Sequence, residues 1–251
     1  ASDQFVDRAT VARAVLPMIR SAWIITVLAS LAFAAYTLVQ VAKGLLGPHP
    51  PLNDFFALWC FAKFSLTRDI QQIYDAPFLH GFMLSVDGTL RQKFPYSYPP
   101  TFLLMIAPLG LLSHRAAYLA WISSPLALYI AATIAGSRRH WTDAAVALAP
   151  AAIANIFFGQ TGFLSSAFLI GGCRLLPRRP IAAGILFGLL TFKPQLGILV
   201  PVALIAARQW RAIGAAIGTT IFLVAASGLV FGWEAWREFF ATIVTHSPYV
   251  E

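Results

Sequence analysis

The sequence predicts an all-α, polytopic membrane protein, a bundle of spanning helices with interfacial helices in its first outer loop. Three observations carry the fold class. Hydrophobic residues make up 59% of the chain and charged residues only 11%, whereas an ordinary soluble domain is about a quarter charged. The apolar residues form continuous runs, not the apolar–polar alternation of barrel strands. Several of these runs are free of charge and long enough to cross a hydrocarbon core of ~30 Å. Such a composition excludes a soluble globular domain, a disordered chain and a fibrous repeat. The net charge of +8 does not signal nucleic acid, because the basic residues are spread between apolar runs as in cytoplasmic loops.

The elements follow in order. Residues 21–42 are a charge-free window and a clear spanning helix. Residues 43–100 form the only long loop. Within it, Asp54 to Phe64 is too short to span and too apolar to float, so it reads as a helix lying in the membrane interface. Pro50-Pro51 stops the segment before it, and Asn53 or Asp54 can cap its start. Asp69 to Leu79 is expected to form a second short helix, and Val86-Asp87-Gly88-Thr89 a turn. Tyr96 to Pro100 should be extended, since residues before proline avoid the helical region. Thr101 to Leu112 is expected to be half-inserted or interfacial, and residues 116–137 are a second spanning window.

Arginine sets the orientation. Arg8, Arg13 and Arg20 precede the first span, which puts the N-terminus in the cytoplasm. The clusters Arg138-Arg139, Arg174 with Arg178-Arg179, and Arg208 with Arg211 all fall inside if two later stretches are hairpins. One is residues 144–173, with its tip at Gly159-Gln160-Thr161-Gly162. The other is residues 181–207, with its tip at Lys193-Pro194. Residues 212–233 then form a last full-length span. In this arrangement ten Arg and three Asp lie inside, against seven Lys or Arg and seven acids outside. Each hairpin arm has about 13 to 16 residues, or roughly 20–24 Å of helix, short of the ~30 Å core. The tips should therefore sink below the outer interface. Polar backbone at that depth is tolerated only in a cavity or inside protein, which predicts a polar recess open to the outer face. Residues 1–251 are taken as one transmembrane domain.

Few side chains can carry chemistry. Asp54 lies just beyond the first span among Phe55, Phe56 and Trp59. A carboxylate in such a place is partly desolvated and suited to take a proton. A plain helix cap would equally explain an aspartate there. Lys193 is the only charge in its hairpin, and a lone ammonium at membrane depth calls for an anion such as a lipid phosphate. The bland alternative is a lysine snorkelling from a helix end. Thr191 and Gln195 beside it could complete a phosphate cradle. Gln160 tips the other hairpin with Asn155 a turn earlier. These two are substrate-pocket candidates or interhelical hydrogen bonders. Arg91 and Lys93 could meet a phosphate, and Tyr96 and Tyr98 could stack on a sugar, although a solvated charge pair would also account for the two cations. Zinc-ligand spacing, a Gly-rich nucleotide loop and a nucleophile elbow are all missing from the sequence. No metal and no nucleotide cofactor is expected.

The order of these motifs resembles a known family. Asn53-Asp54-Phe55-Phe56 follows the first span, then Tyr74-Asp75, then Tyr98-Pro99-Pro100-Thr101-Phe102-Leu103. Phe158-Gly159-Gln160, Gly188-Leu189-Leu190-Thr191-Phe192-Lys193-Pro194 and the basic loop Arg208-Gln209-Trp210-Arg211 come after. Together they are similar to the polyprenol-phosphate-mannose-dependent mannosyltransferases, glycosyltransferase family 87 of the GT-C superfamily. The resemblance implies a polyprenyl-phosphate sugar donor, mannose as the sugar, and a glycolipid or glycan acceptor. It also implies an inner cell membrane location and an outward-facing active site. It makes Asp54 the catalytic base and Lys193 the phosphate ligand. Members of the family run on for several more spans, so further C-terminal spans are expected to be missing from this chain. A rival reading is a non-catalytic membrane subunit or lipid-binding scaffold that works with partner subunits, which the lack of a second paired carboxylate favours. A secondary transporter is third, and its mid-membrane charge pairs and inverted repeats are not evident.

Overall fold

The computed structural model describes residues 8–46, 53–67, 69–134, 150–197 and 199–245. Among the described residues the chain is helical throughout, with no strand. Three helices are long and apolar enough to cross a membrane, over Ile24–Lys43, His114–Ile134 and Trp210–Phe231. The protein is an all-α polytopic membrane protein. The basic cluster Arg138-Arg139 and the start of the first hairpin, residues 144–149, lie outside the described residues.

Helix α1 (Arg8–Leu46) exposes most of its surface and packs along one side against residues 150–158. Thr37 is buried there, and the Tyr36 ring lies 6.2 Å from that of Phe157. Helix α2 (Asp54–Phe64) starts where the sequence places it, but its surroundings differ from a helix resting on lipid. Phe55, Phe56, Cys60, Ala62 and Phe64 are fully or almost fully buried, on every side of the helix. The rest of the aromatic loop folds over it, because each buried Phe contributes about 1.5–3 kcal/mol over an exposed one. His114 meets Phe55 and Trp59 edge-on, at 5.2 and 5.1 Å between ring centres. The indole N–H of Trp59 donates to the Leu112 carbonyl at 3.1 Å.

The loop beyond α2 departs from a single helix over 69–79. A short 3-10 helix, Ile70–Tyr74, is followed by helix α3 (Ala76–Val86). The break falls at Asp75, whose carboxylate accepts from the Phe78 N–H at 3.0 Å and caps α3. The expected turn is present, with Asp87 accepting from the Thr89 N–H and hydroxyl. Helix α4 (Pro100–Ile106) gives way to 3-10 geometry over Ala107–Leu111, as Pro108 withholds an N–H. This pair doubles back against α2, so helix α5 (His114–Ile134) starts at the α2 end of the bundle.

Two hairpins follow. Helices α6 (Pro150–Phe158) and α7 (Gly162–Leu175) are joined by Gly159-Gln160-Thr161. Helix α8 (Pro180–Leu189) continues through a 3-10 turn, Leu190–Phe192, to Lys193. The chain returns through a short helical turn, Pro194–Gly197, and helix α9 (Leu199–Ala206). Helix α10 (Trp210–Phe231) lies along α8. Their approach is close because Gly184 and Gly188 face Ala212 and Thr219, where a Cβ would strike backbone and side chain. Small residues at membrane helix contacts work this way. Helix α11 (Trp233–Thr245), at the end of the last span read from the sequence, folds back onto the 70–74 turn. Phe239 meets Tyr74 at 5.9 Å, and the Trp236 indole donates to the Ser227 hydroxyl at 3.0 Å.

Candidate active site

Both hairpin tips, the start of α2 and the Phe94–Tyr98 segment meet at one end of the bundle and enclose a cavity of about 430 Å³. That is within the ~300–1,000 Å³ of small-molecule sites. Its wall includes Asp54, Tyr98, Gln160, Thr161, Lys193 and Gln195.

The helix start of α2 settles what Asp54 is not doing. Asn53 is the cap: its side-chain oxygen accepts from the Phe56 N–H at 3.2 Å. Its amide N–H also donates to the Phe157 carbonyl at 2.9 Å, which ties α2 to the end of α6. The Asp54 carboxylate is therefore left for the cavity, where it accepts a hydrogen bond from the Gln160 amide.

The first tip is held from behind. Gly159 adopts a φ of +66°, open to glycine at no steric cost. It also presses against Phe55, leaving no room for a Cβ. The Trp121 indole donates to the Gly159 carbonyl at 2.8 Å, and the Tyr118 hydroxyl to the Ile156 carbonyl at 2.8 Å. Asn155 is buried and does not reach the cavity wall. Its side-chain oxygen accepts from the Gly162 N–H at 2.8 Å and its carbonyl from the Gln160 N–H at 3.1 Å. It is a staple for the tip.

The second tip is anchored by aromatic stacking. Phe192 is fully buried and stacks on Phe102 with rings 5.1 Å apart and 17° from parallel. Phe102 in turn contacts Tyr98 at 4.4 Å. Lys193 follows directly, half-buried on the cavity wall. Among the described residues no carboxylate pairs with it. Tyr98 is fixed by its carbonyl, which accepts from the Tyr74 hydroxyl at 2.9 Å. Burial pushes the Tyr98 phenol above its usual range. Thr161 opposes that shift and the nearby Asp54 carboxylate adds to it, so the phenol remains a proton-bearing donor at neutral pH.

Of the residues predicted from sequence, the structure brings Asp54, Tyr98, Gln160, Lys193 and Gln195 to one cavity. The others stand elsewhere, the buried Asn155 among them. Arg91 and Lys93 are exposed and off the cavity wall, because the chain turns inward only at Phe94. Tyr96 is 2% exposed and packs on Phe61 in the core, with its hydroxyl toward the Pro99 carbonyl. Thr161 and Ser97 also line the cavity and escaped the sequence reading, since a lone Ser or Thr in a turn carries no signal. Thr191, offered as part of the cradle, lines a neighbouring groove instead.

Fold and site thus define a polytopic membrane protein with a polar cavity, walled by a carboxylate, a lysine and amides, at the tips of two helical hairpins. The sequence model of glycosyltransferase family 87 matches residues 96–249. That is more than half of the chain, and the chain belongs to this family of membrane glycosyltransferases. No curated protein and no solved structure matches it. The matched segment holds Tyr98, Gln160, Lys193 and Gln195, while Asp54 reaches the same cavity from the preceding part of the chain.

Proposed function

We propose that the protein transfers mannose from a polyprenyl-phosphate donor to a hydroxyl of a glycolipid or glycan acceptor. The reaction is placed at the outer face of the cell membrane, the face that the arginine distribution assigns to both hairpin tips. A single observation carries this reading: one carboxylate and one cation line the same cavity, and neither is used by the fold. The donor needs both. Its anomeric carbon already bears a phosphate leaving group, so no acid is required to protonate it. Lys193 compensates the charge that grows on the phosphate as the C–O bond breaks. Asp54 takes the proton of the acceptor hydroxyl as its oxygen attacks the opposite face of the sugar. One carboxylate suffices for that direct displacement and the product is inverted, whereas glycosidases need two.

The surroundings of Lys193 favour a lipid-borne donor. Pro194, on the cavity wall beside Lys193, also lines an apolar groove of about 500 Å³ between α8, α9 and α10. A donor with its phosphate at Lys193 would lay its hydrocarbon chain there, in surroundings as apolar as the bilayer it leaves. The test is transfer from polyprenyl-phosphate mannose in proteoliposomes. Asp54→Asn is expected to stay folded and lose turnover, and the wild-type product is expected to be inverted. An active asparagine variant, or a product retaining the donor's configuration, refutes the mechanism.

A further inference from the structure

We infer that Gln160 is the positioning residue for the Asp54 carboxylate, using its amide N–H to hold one oxygen and leave the other to accept the acceptor's proton. The inference rests on the reading of Asp54 as the base and goes beyond it.

Three features carry it. The first is the contact itself: the Gln160 amide donates to Oδ2 of Asp54 across the join between the first hairpin and α2. An ionised carboxylate only accepts hydrogen bonds, so it is the NH₂ end of the amide that faces it. The second is the clamping of the residue that makes the contact. The Gln160 N–H is tied to the Asn155 carbonyl, the Gly162 N–H to the Asn155 side chain, and the Gly159 carbonyl to the Trp121 indole. The amide therefore projects from a fixed backbone, so only the side chain's own torsions have to be ordered when it meets Asp54. The third is placement. Gln160 is exposed and the pair faces the cavity, so the contact is not one the packed interior requires. A neutral donor also suits the task. A lysine in its place would neutralise the carboxylate and weaken it as a base.

The consequences separate positioning from packing. Gln160→Glu keeps the shape of the side chain but replaces the donor with an acceptor facing a carboxylate. Gln160→Leu removes the donor with little change in bulk. Misplacing a reacting group by about 1 Å costs on the order of 10² in rate. Both variants should therefore lose about 10- to 100-fold in kcat. KM for the donor should stay within about threefold, since the base acts in the transition state.

The full-length chain is assayed in proteoliposomes with radiolabelled polyprenyl-phosphate mannose and octyl α-mannoside as the hydroxyl acceptor. A second readout needs no turnover. The infrared difference spectrum between wild type and Asp54→Asn isolates the carboxylate stretch of Asp54. That band should move in Gln160→Leu, where the donated hydrogen bond is gone. A fall in kcat in both variants with a moved band supports the inference. An inactive Asp54→Asn beside a fully active Gln160→Glu overturns it and leaves the base reading standing, as does a band that stays in place in Gln160→Leu. An Asp54→Asn variant that still transfers sugar removes the base and the inference with it.

Discussion

Replacing Gly159 with alanine challenges two constraints on the first hairpin tip at once and tests how the cavity is built. The residue sits at a φ of +66°, where a non-glycine side chain costs about 1–2 kcal/mol. The added Cβ would also overlap Phe55, which is fully buried at the start of α2. Overpacking of that kind costs about 1–3 kcal/mol. Together the penalties reach about 2–5 kcal/mol, enough to lower the thermal midpoint by several degrees in a chain of this size. Because Phe55 adjoins Asp54 and Gly159 adjoins Gln160, any relief of the overlap parts the two walls of the cavity. Gly159→Ala should therefore lose both stability and transfer. Gly81→Ala is the control: it lies in α3 with nothing within 4 Å of a built Cβ, and helix propensity makes it neutral or stabilising by up to about 1 kcal/mol. Thermal unfolding in nanodiscs and transfer from the lipid-linked donor are the measurements. A Gly159→Ala variant as stable as Gly81→Ala, or one with wild-type turnover, refutes the reasoning.

Lys193→Ala should lower transfer by about 10²–10³, the usual loss when a preorganised charge stabiliser is removed, and Lys193→Arg should lose less; near-normal activity in the alanine variant would exclude a phosphate contact. Single cysteines at positions 160 and 193 should react with a membrane-impermeant reagent from outside, and those at 178 and 211 only after permeabilisation, with outside labelling at 178 overturning the topology. Burial pushes the Cys60 thiol up to about 12, so at pH 8 on the order of 10⁻⁴ of it is thiolate, the reactive form. In a Cys173→Ser background, maleimide should leave folded protein unlabelled and modify Cys60 only on unfolding; rapid labelling of native protein would show that α2 is not enclosed.

The sequence by itself determined the class and the order of the elements. Charge-free windows bounded by arginines mark spans without any knowledge of packing, because hydrocarbon tolerates so few charges. Gly159-Gln160-Thr161-Gly162 and Lys193-Pro194 were legible as turns because hairpins there put the flanking arginine clusters on one side. The start of α2 was legible as well, but which of two neighbours capped it was not. Asn53 and Asp54 are both competent caps, and only the Phe157 carbonyl, which Asn53 also engages, decides between them and frees the carboxylate. Tertiary structure likewise divided the cations. Arg91, Lys93 and Lys193 are alike in charge, yet only Lys193 follows a buried phenylalanine, Phe192, that stacks on Phe102. The burial of α2 could not be read locally either, since its aromatic sides would suit lipid as well as protein. Nor could the sequence show that Gln160 meets Asp54. That contact joins residues more than a hundred positions apart, and such pairs are fixed by how helices stack, not by the pattern along any one of them.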